Sequence, residues 1–497
     1  MAYAPYLRFP FVLAASRAFF INIEPTLRRR SALTTTYAQR LAEFVCNLKF
    51  SDLPEEIRRL VRCSTIDNIG VILAGHQTES ARIAVDLVRS HGGSSESRIF
   101  GYADELPAHA AAFANAVAAH STELDDHIAH TRSLNHPGVT AFPTAFALAE
   151  KVGASGEQLM VSAVAGYEIN SRLNAAADRG IWNRGFHGTG LCGPFGAAAT
   201  AAPLIGLDAN QLTNAFGICG SMAAGSSEFH ASGAWTKRFH PGWACIGGIT
   251  AAEMARRGFT GPPTILEGKS GFFRAYAGEG NYDLESLTTN LGIDFEFRFI
   301  IYKPFACAGQ LHSPLTAAQQ LLRKHKIDPQ QIESVIVKSR GEFIKTFTLP
   351  RENKLRPQTS VDGQFSLPYS LAAFLYFGQA FLEQFNEEAI NNAEVLNLAT
   401  RIQFIADPEM DRRWPQEEPS EVTLQMKDGT VHTEEVKCAK GSLGNPLTEE
   451  ELREKFRSLT SGLLPGASIE RIIDMVANLE KLKNVRDLVS LVTPSPQ

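Results

Sequence analysis

The sequence predicts a mainly α protein: a large all-helical domain followed by a smaller α+β lid domain. Three observations carry this expectation. From Thr36 apolar residues recur at helical spacing, and alanine-rich segments then follow one another to about residue 297. After Gly292 the composition shifts to β-branched runs broken by turn residues.

The chain opens on a segment of different character. Its first forty residues hold six arginines, no lysine and one acid, Glu24, for a local charge of +5 against −10 in the remainder. An Arg-rich, Ser/Thr-containing, acid-poor start describes a mitochondrial transit peptide. Arg17 interrupts the apolar stretch, which argues against a secretory signal. A disordered leader without an address fits the same composition. Residues 1–35 are therefore expected to be a leader, and the protein to lie in the mitochondrial matrix or the cytoplasm rather than outside the cell.

The helical domain is expected over 36–297. Leu41, Phe44, Val45 and Leu48 mark one face of a first helix. Ser51 to Glu56 then reads as a helix start, with a capping residue, an early proline and acids in the first turn. Ile57, Leu60 and Val61 continue its buried face up to Gly70 and Gly75. Alanine-rich helices are expected at 107–120, 140–152, 156–178, 194–206 and 243–257. In the lid, 298–440, strands are expected at Glu333–Ser339, Leu396–Ile405 and Val422–Met426, with helices near 313–325 and 365–377. Asp428-Gly429 gives a hairpin turn. Thr448 followed by Glu451 signals a capping box, so two helices near 448–460 and 467–491 are expected to pack back on the helical domain as a segment 441–497.

Whole-chain chemistry excludes several classes. The 48 basic and 53 acidic side chains leave a net charge of −5, which disfavours a nucleic-acid partner. No apolar run reaches the roughly 18–20 residues of a membrane span. The seven cysteines include no C-x-x-C pair and are odd in number, so neither a disulfide framework nor a cofactor cluster is expected.

Gly188-Thr-Gly190-Leu-Cys-Gly193 matches G-x-G-x-x-G, but no buried strand precedes it and Pro194 follows. Helix-entry packing is the better reading than a nucleotide site. Between Thr122 and His136 three acids and three histidines crowd a short stretch. A divalent metal site, an acid–base site and a solvated loop all fit it, although it matches no familiar zinc spacing. His187 precedes the glycine-rich turn. Trp235 to Gly242 sets Lys237 and Arg238 beside an aromatic in an apolar region, and Lys303, followed by His312, falls at the expected domain junction. A cation there can meet an anion in an interdomain cleft.

Taken in order, these motifs resemble the MmgE/PrpD family of 2-methylcitrate dehydratases, cis-aconitate decarboxylases and an iminodisuccinate epimerase. The resemblance runs through Asp67 to Gly75, Thr122 to Asp126, His136-Pro137, Gly166-Tyr-Glu168, Phe186 to Gly190, Trp235 to Gly242, Lys303-Pro-Phe and Gly363 to Tyr369. It covers nearly everything but the leader. It implies the MmgE/PrpD fold, a homodimer and a small di- or tricarboxylate substrate, with no cofactor and no metal. It also implies His136, His187, Lys237, Lys303 and Tyr369 as catalytic residues and Asp125 and Asp126 as substrate-binding ones; His127, Arg238 and His312, beside these motifs, are expected to bind substrate as well. His127 stands where the animal decarboxylases have a threonine, and the following loop to Asn135 is longer than theirs.

Those residue types suit the chemistry. Removing a proton or a carboxyl group next to a carboxylate builds negative charge, and two lysines can stabilise it electrostatically. A histidine titrating near neutrality can move the proton. The expected reaction is metal-independent dehydration of a citrate-type acid such as 2-methylcitrate. Decarboxylation of a cis-aconitate-type acid, epimerisation of a small dicarboxylate and a catalytically silent homologue are the alternatives.

Overall fold

The computed structural model describes residues 35–130, 133–414 and 416–493, with side chains at 129–134 left aside. The leader expectations therefore fall on residues outside the described ones.

Thr36 begins the first helix, α1 (Tyr37–Asn47), through a reciprocal capping box with Gln39. Its buried face is Ala38, Leu41, Ala42 and Val45. Next, α2 (Glu55–Gly75) follows Pro54 with two acids in its first turn, where the helix dipole favours them. Its second half is buried all round. The helical layer continues with α3 (Glu79–His91), α4 (Ala108–Ala119), α5 (Gly138–Val152), α6 (Gly156–Ala176), α7 (Gly188–Ile205), α8 (Ala209–Cys219) and α9 (Thr236–Arg256). At the centre, α7 packs against α5, α6 and α9, while α4 packs against α5 and α9.

Small residues permit that packing. A Cβ at Gly248 of α9 would stand 2.5 Å from the Pro194 carbonyl oxygen and 2.7 Å from the Ala198 nitrogen of α7. Only glycine allows such an approach. The G-x-G-x-x-G stretch forms the first turns of α7, as helix-entry packing predicts.

The region 36–297 is not wholly helical. Strands β1 (His127–His130) and β2 (Ser133–Asn135) form an antiparallel sheet with β3 (Ile300–Ile301), pairing Ile128 with Asn135 and His127 with Ile301. That sheet ties the histidine-rich segment to chain beyond residue 297, and the described residues from Thr36 onward form one compact unit.

A second sheet has the order β5-β4-β6-β7, from β4 (Ile332–Ser339), β5 (Ile402–Ala406), β6 (Ser420–Met426) and β7 (Val431–Val436). β4 and β5 run parallel, and the other pairs are antiparallel. Helices α10 (His312–Lys324) and α11 (Leu367–Phe377) accompany it. The strand expected from Leu396 begins only at Ile402. Asn392 caps a helix over Ala393–Thr400 by accepting from the Glu394 and Val395 amides, so Leu398 packs from a helix instead.

Thr448 and Glu451 make the expected capping box of α12 (Glu449–Thr460), which packs on α2. The next helix, α13, ends at Ala477 (Gly466–Ala477), short of the expected 491. The chain there bonds elsewhere: the Val485 amide donates to the Ala154 carbonyl at 2.8 Å, and the Leu482 carbonyl accepts from Gly156 at 2.9 Å. Among the described residues no helix is long and apolar enough to cross a membrane.

Candidate active site

The turn between α4 and β1 carries His120, Glu123 and Asp125. Helix starts supply three more groups: His136 precedes Pro137 at the head of α5, His187 occupies the N-cap of α7, and Lys237 lies in the first turn of α9. Helix N-termini carry partial positive charge, so this arrangement favours an anion. Lys303 arrives from the segment after β3.

Two carboxylates organise the cluster. Glu123 bridges both lysines, one oxygen accepting from Lys237 and the other from Lys303 at 3.2 Å. It does so from a left-handed backbone conformation, φ +56°, which a non-glycine residue adopts at a cost. Asp125 holds the histidines. Its Oδ2 lies 2.6 Å from His136 Nδ1 and 3.0 Å from His120 Nδ1, and its Oδ1 lies 4.0 Å from the Lys303 ammonium. His136 Nδ1 also faces the Asp126 carbonyl oxygen at 3.2 Å. Both neighbours accept, so the proton sits on Nδ1 and the lone pair on Nε2.

Burial and charge set the protonation states together. Burial opposes ionisation of Glu123, but Lys237 and Lys303 outweigh it and hold its carboxyl far below the usual range. Asp125 is likewise held well below, where His120, His136 and Lys303 overcome burial. Lys303 stays above its ordinary value because Glu123 and Asp125 outweigh its burial. For Lys237 burial wins over Glu123 and lowers it. Burial also lowers His136 against the pull of Asp125, and pushes His120 down to about 3.

His187 and His240 face each other through Nδ1 atoms 3.0 Å apart, and the His187 ring stacks on His120 with centroids at 5.7 Å. His127 is buried, with its ring centroid 5.7 Å from that of His136. From the lid side the Phe365 ring lies 5.2 Å from the Lys237 ammonium, and the Gln364 amide donates to the Thr122 carbonyl at 3.2 Å.

Four of the expected site residues take other partners. The Tyr369 hydroxyl donates to the Gln384 carbonyl at 2.6 Å, which engages the proton it was expected to deliver. Asp126 accepts from the Tyr167 hydroxyl in a wholly buried position; burial first, and then Asp67, hold its carboxyl well above the usual range. It belongs to the packing beneath the site, beside Lys455, which donates to Asp67 at 2.6 Å and to the Leu124 carbonyl at 2.7 Å. Arg238 donates to Ser80 of α3 at 3.1 Å. His312 Nε2 donates to the Cys307 carbonyl at 3.3 Å, and burial pushes the ring down to about 3.

Sequence reasoning passed over Glu123 and His120 as site residues. Glu123 lies in the acid-rich stretch, but its bridge depends on a backbone conformation that composition does not announce. His120 follows an alanine-rich helix, and its only sequence signal is nearness to Asp125.

Comparison with known proteins finds one family along most of the chain. The family model "MmgE/PrpD N-terminal domain" matches residues 39–285, and "MmgE/PrpD C-terminal domain" matches 305–481. A cis-aconitate decarboxylase-like protein, oryM, of Aspergillus oryzae is 28% identical over 482 residues, covering 91% of this chain and 96% of the relative. The cis-aconitate decarboxylase of Aspergillus terreus is 27% identical, covering 91% of this chain and 95% of its own. The Homo sapiens cis-aconitate decarboxylase is 28% identical, covering 92% and 95%.

Proposed function

The chain is a member of the MmgE/PrpD family, and from that premise we propose that it is a lyase that decarboxylates a small tricarboxylate of the cis-aconitate type. One observation carries the reading: two buried ammonium groups converge on a single carboxylate, that of Glu123. A pair of cations so placed suits a substrate with several carboxylates. The relatives named as cis-aconitate decarboxylases match over nearly their whole length and support decarboxylation above the dehydration expected from sequence.

In this proposal two substrate carboxylates take over the lysine bonds that Glu123 holds in the free protein. The carbon–carbon bond to the third carboxyl group breaks, carbon dioxide leaves, and the electron pair stays on the carbon skeleton. Lys237 and Lys303 stabilise the negative charge as it spreads toward the retained carboxylates. Arrival of the anionic substrate draws a proton onto His136 Nε2, and Asp125 stabilises the resulting imidazolium through Nδ1. His136 then protonates the carbon and recovers its proton from solvent. Each turnover breaks one carbon–carbon bond, forms one carbon–hydrogen bond and consumes one proton.

The purified chain should be given cis-aconitate, citrate and 2-methylcitrate in parallel, with carbon dioxide release and product alkenes followed together. Carbon dioxide from cis-aconitate, and none from the other two, is the expected result. Alkene formation from citrate-type acids without carbon dioxide would restore the dehydratase reading.

A further inference from the structure

The same cluster offers a chemistry that the proposed decarboxylation leaves unused. His120, His136 and His187 are all buried, and each brings a ring nitrogen to within 4.8 Å of those of the other two. We propose that these three imidazoles form a binding site for one first-row divalent cation of the zinc type, with Asp125 as the outer carboxylate that orients two of them.

The ligand set is prepared in three respects. Asp125 Oδ2 engages Nδ1 of both His120 and His136, which leaves Nε2 of each ring with its lone pair. A carboxylate behind the far nitrogen is how metal-bound histidines are commonly held. His120 Nε2 is buried and has no hydrogen-bond partner among the described residues, a costly state that a metal would relieve. With the shared proton on His187 Nδ1, donated to His240, His187 Nε2 becomes the third ligand atom.

Bond lengths and charge limit what binds. Zinc–nitrogen bonds of about 2.0–2.1 Å in a tetrahedral site place ligand nitrogens roughly 3.3 Å apart, so the rings must close by a modest rotation. Glu123 and Asp125 balance Lys237 and Lys303, so the ion's two charges call for an anionic fourth ligand, a hydroxide or a carboxylate. Neutral imidazoles suit zinc, cobalt and nickel better than magnesium or calcium. An ion on His136 Nε2 takes the lone pair needed for proton transfer, so occupancy inhibits turnover. That inhibition rests on the proposed function, whereas the binding does not.

The full-length protein, stripped by chelation and free of substrate, should be titrated with Co²⁺ and then Zn²⁺. We expect one Co²⁺ to bind with the visible bands of a nitrogen and oxygen site, without thiolate charge transfer, and to be displaced by Zn²⁺. His120→Asn and His187→Asn, with folding checked by circular dichroism, should each abolish the spectrum. Asp125→Asn should weaken binding by about 10–100-fold. Absence of bound Co²⁺, a thiolate spectrum, or full affinity in a folded histidine variant would overturn the site. Should both histidine variants misfold, the wild-type spectrum decides between imidazole and thiolate ligation. A chain that binds Co²⁺ as described yet releases no carbon dioxide from cis-aconitate would fail the proposed function and leave the metal site standing.

Discussion

Asp125 Oδ2 lies 2.6 Å from His136 Nδ1 in a place where both groups are buried. In the proposed reaction this contact decides which nitrogen of the ring meets the substrate. With a carboxylate and a backbone carbonyl both accepting from Nδ1, the working lone pair belongs to Nε2. Asp125→Asn should keep the fold and lower kcat by about 10²–10⁴-fold, because it removes the charge that stabilises the imidazolium. Steady-state kinetics with a thermal-melt control checks this, and an unchanged kcat would remove Asp125 from the account.

Glu123 neutralises two buried ammonium groups when no substrate is present. Glu123→Gln strips both of their shared counter-charge and should destabilise the free protein by about 3–5 kcal/mol. A tricarboxylate ligand supplies the missing charge, so it should raise the melting temperature of this variant more than that of the wild type. Equal shifts in the two proteins would mean that substrate does not replace Glu123.

Burial pushes His76, His120, His230, His240 and His312 below their ordinary 6.5, to about 4, 3, 4, 4 and 3. In the window between these folded values and 6.5 the unfolded chain binds more protons than the folded one. Their contribution to stability is therefore complete above pH 6.5 and is lost as pH falls toward 4 and then 3. Burial raises Glu168 to about 7 and holds Asp67, Asp126, Glu150, Glu267 and Glu418 above their ordinary range, which works in the opposite direction. But burial also lowers His109, His127, His136 and His187, so the lowered histidines are more numerous. The melting temperature should decline steadily from about pH 6.5 downward, before ordinary carboxylates titrate. A melting temperature that stays flat to pH 4.5 would contradict this.

Tyr369 donates to a backbone carbonyl within its own part of the fold. Tyr369→Phe should cost about 0.5–1.5 kcal/mol of stability and leave kcat/KM unchanged. Lost activity at unchanged stability would return the phenol to the catalytic set.

Much of the fold is legible because helix signals are local. The apolar spacing of α1, the capping box at Thr448 and the alanine-rich stretches of α4 to α7 carry their structure in neighbouring residues. Elements that depend on distant partners are not so readable. β1 pairs with β3, about 170 residues further on, and the chain after Ala477 donates to the Ala154 carbonyl and accepts from the Gly156 amide. The site divides the same way. His136, His187, Lys237 and Lys303 stand in motifs that resemble the family's, whereas Glu123 depends on a positive φ and His120 on a fold that sets it beside Asp125.

In the proposed reaction His136 moves the proton at carbon while two lysines hold the substrate. The most direct test is carbon dioxide release from cis-aconitate by folded His136→Gln beside the wild type, with kcat and KM resolved separately. We expect a kcat lower by about 10²–10⁴-fold with little change in KM, because Lys237 and Lys303 would still hold the carboxylates. Wild-type turnover by the folded variant would contradict it.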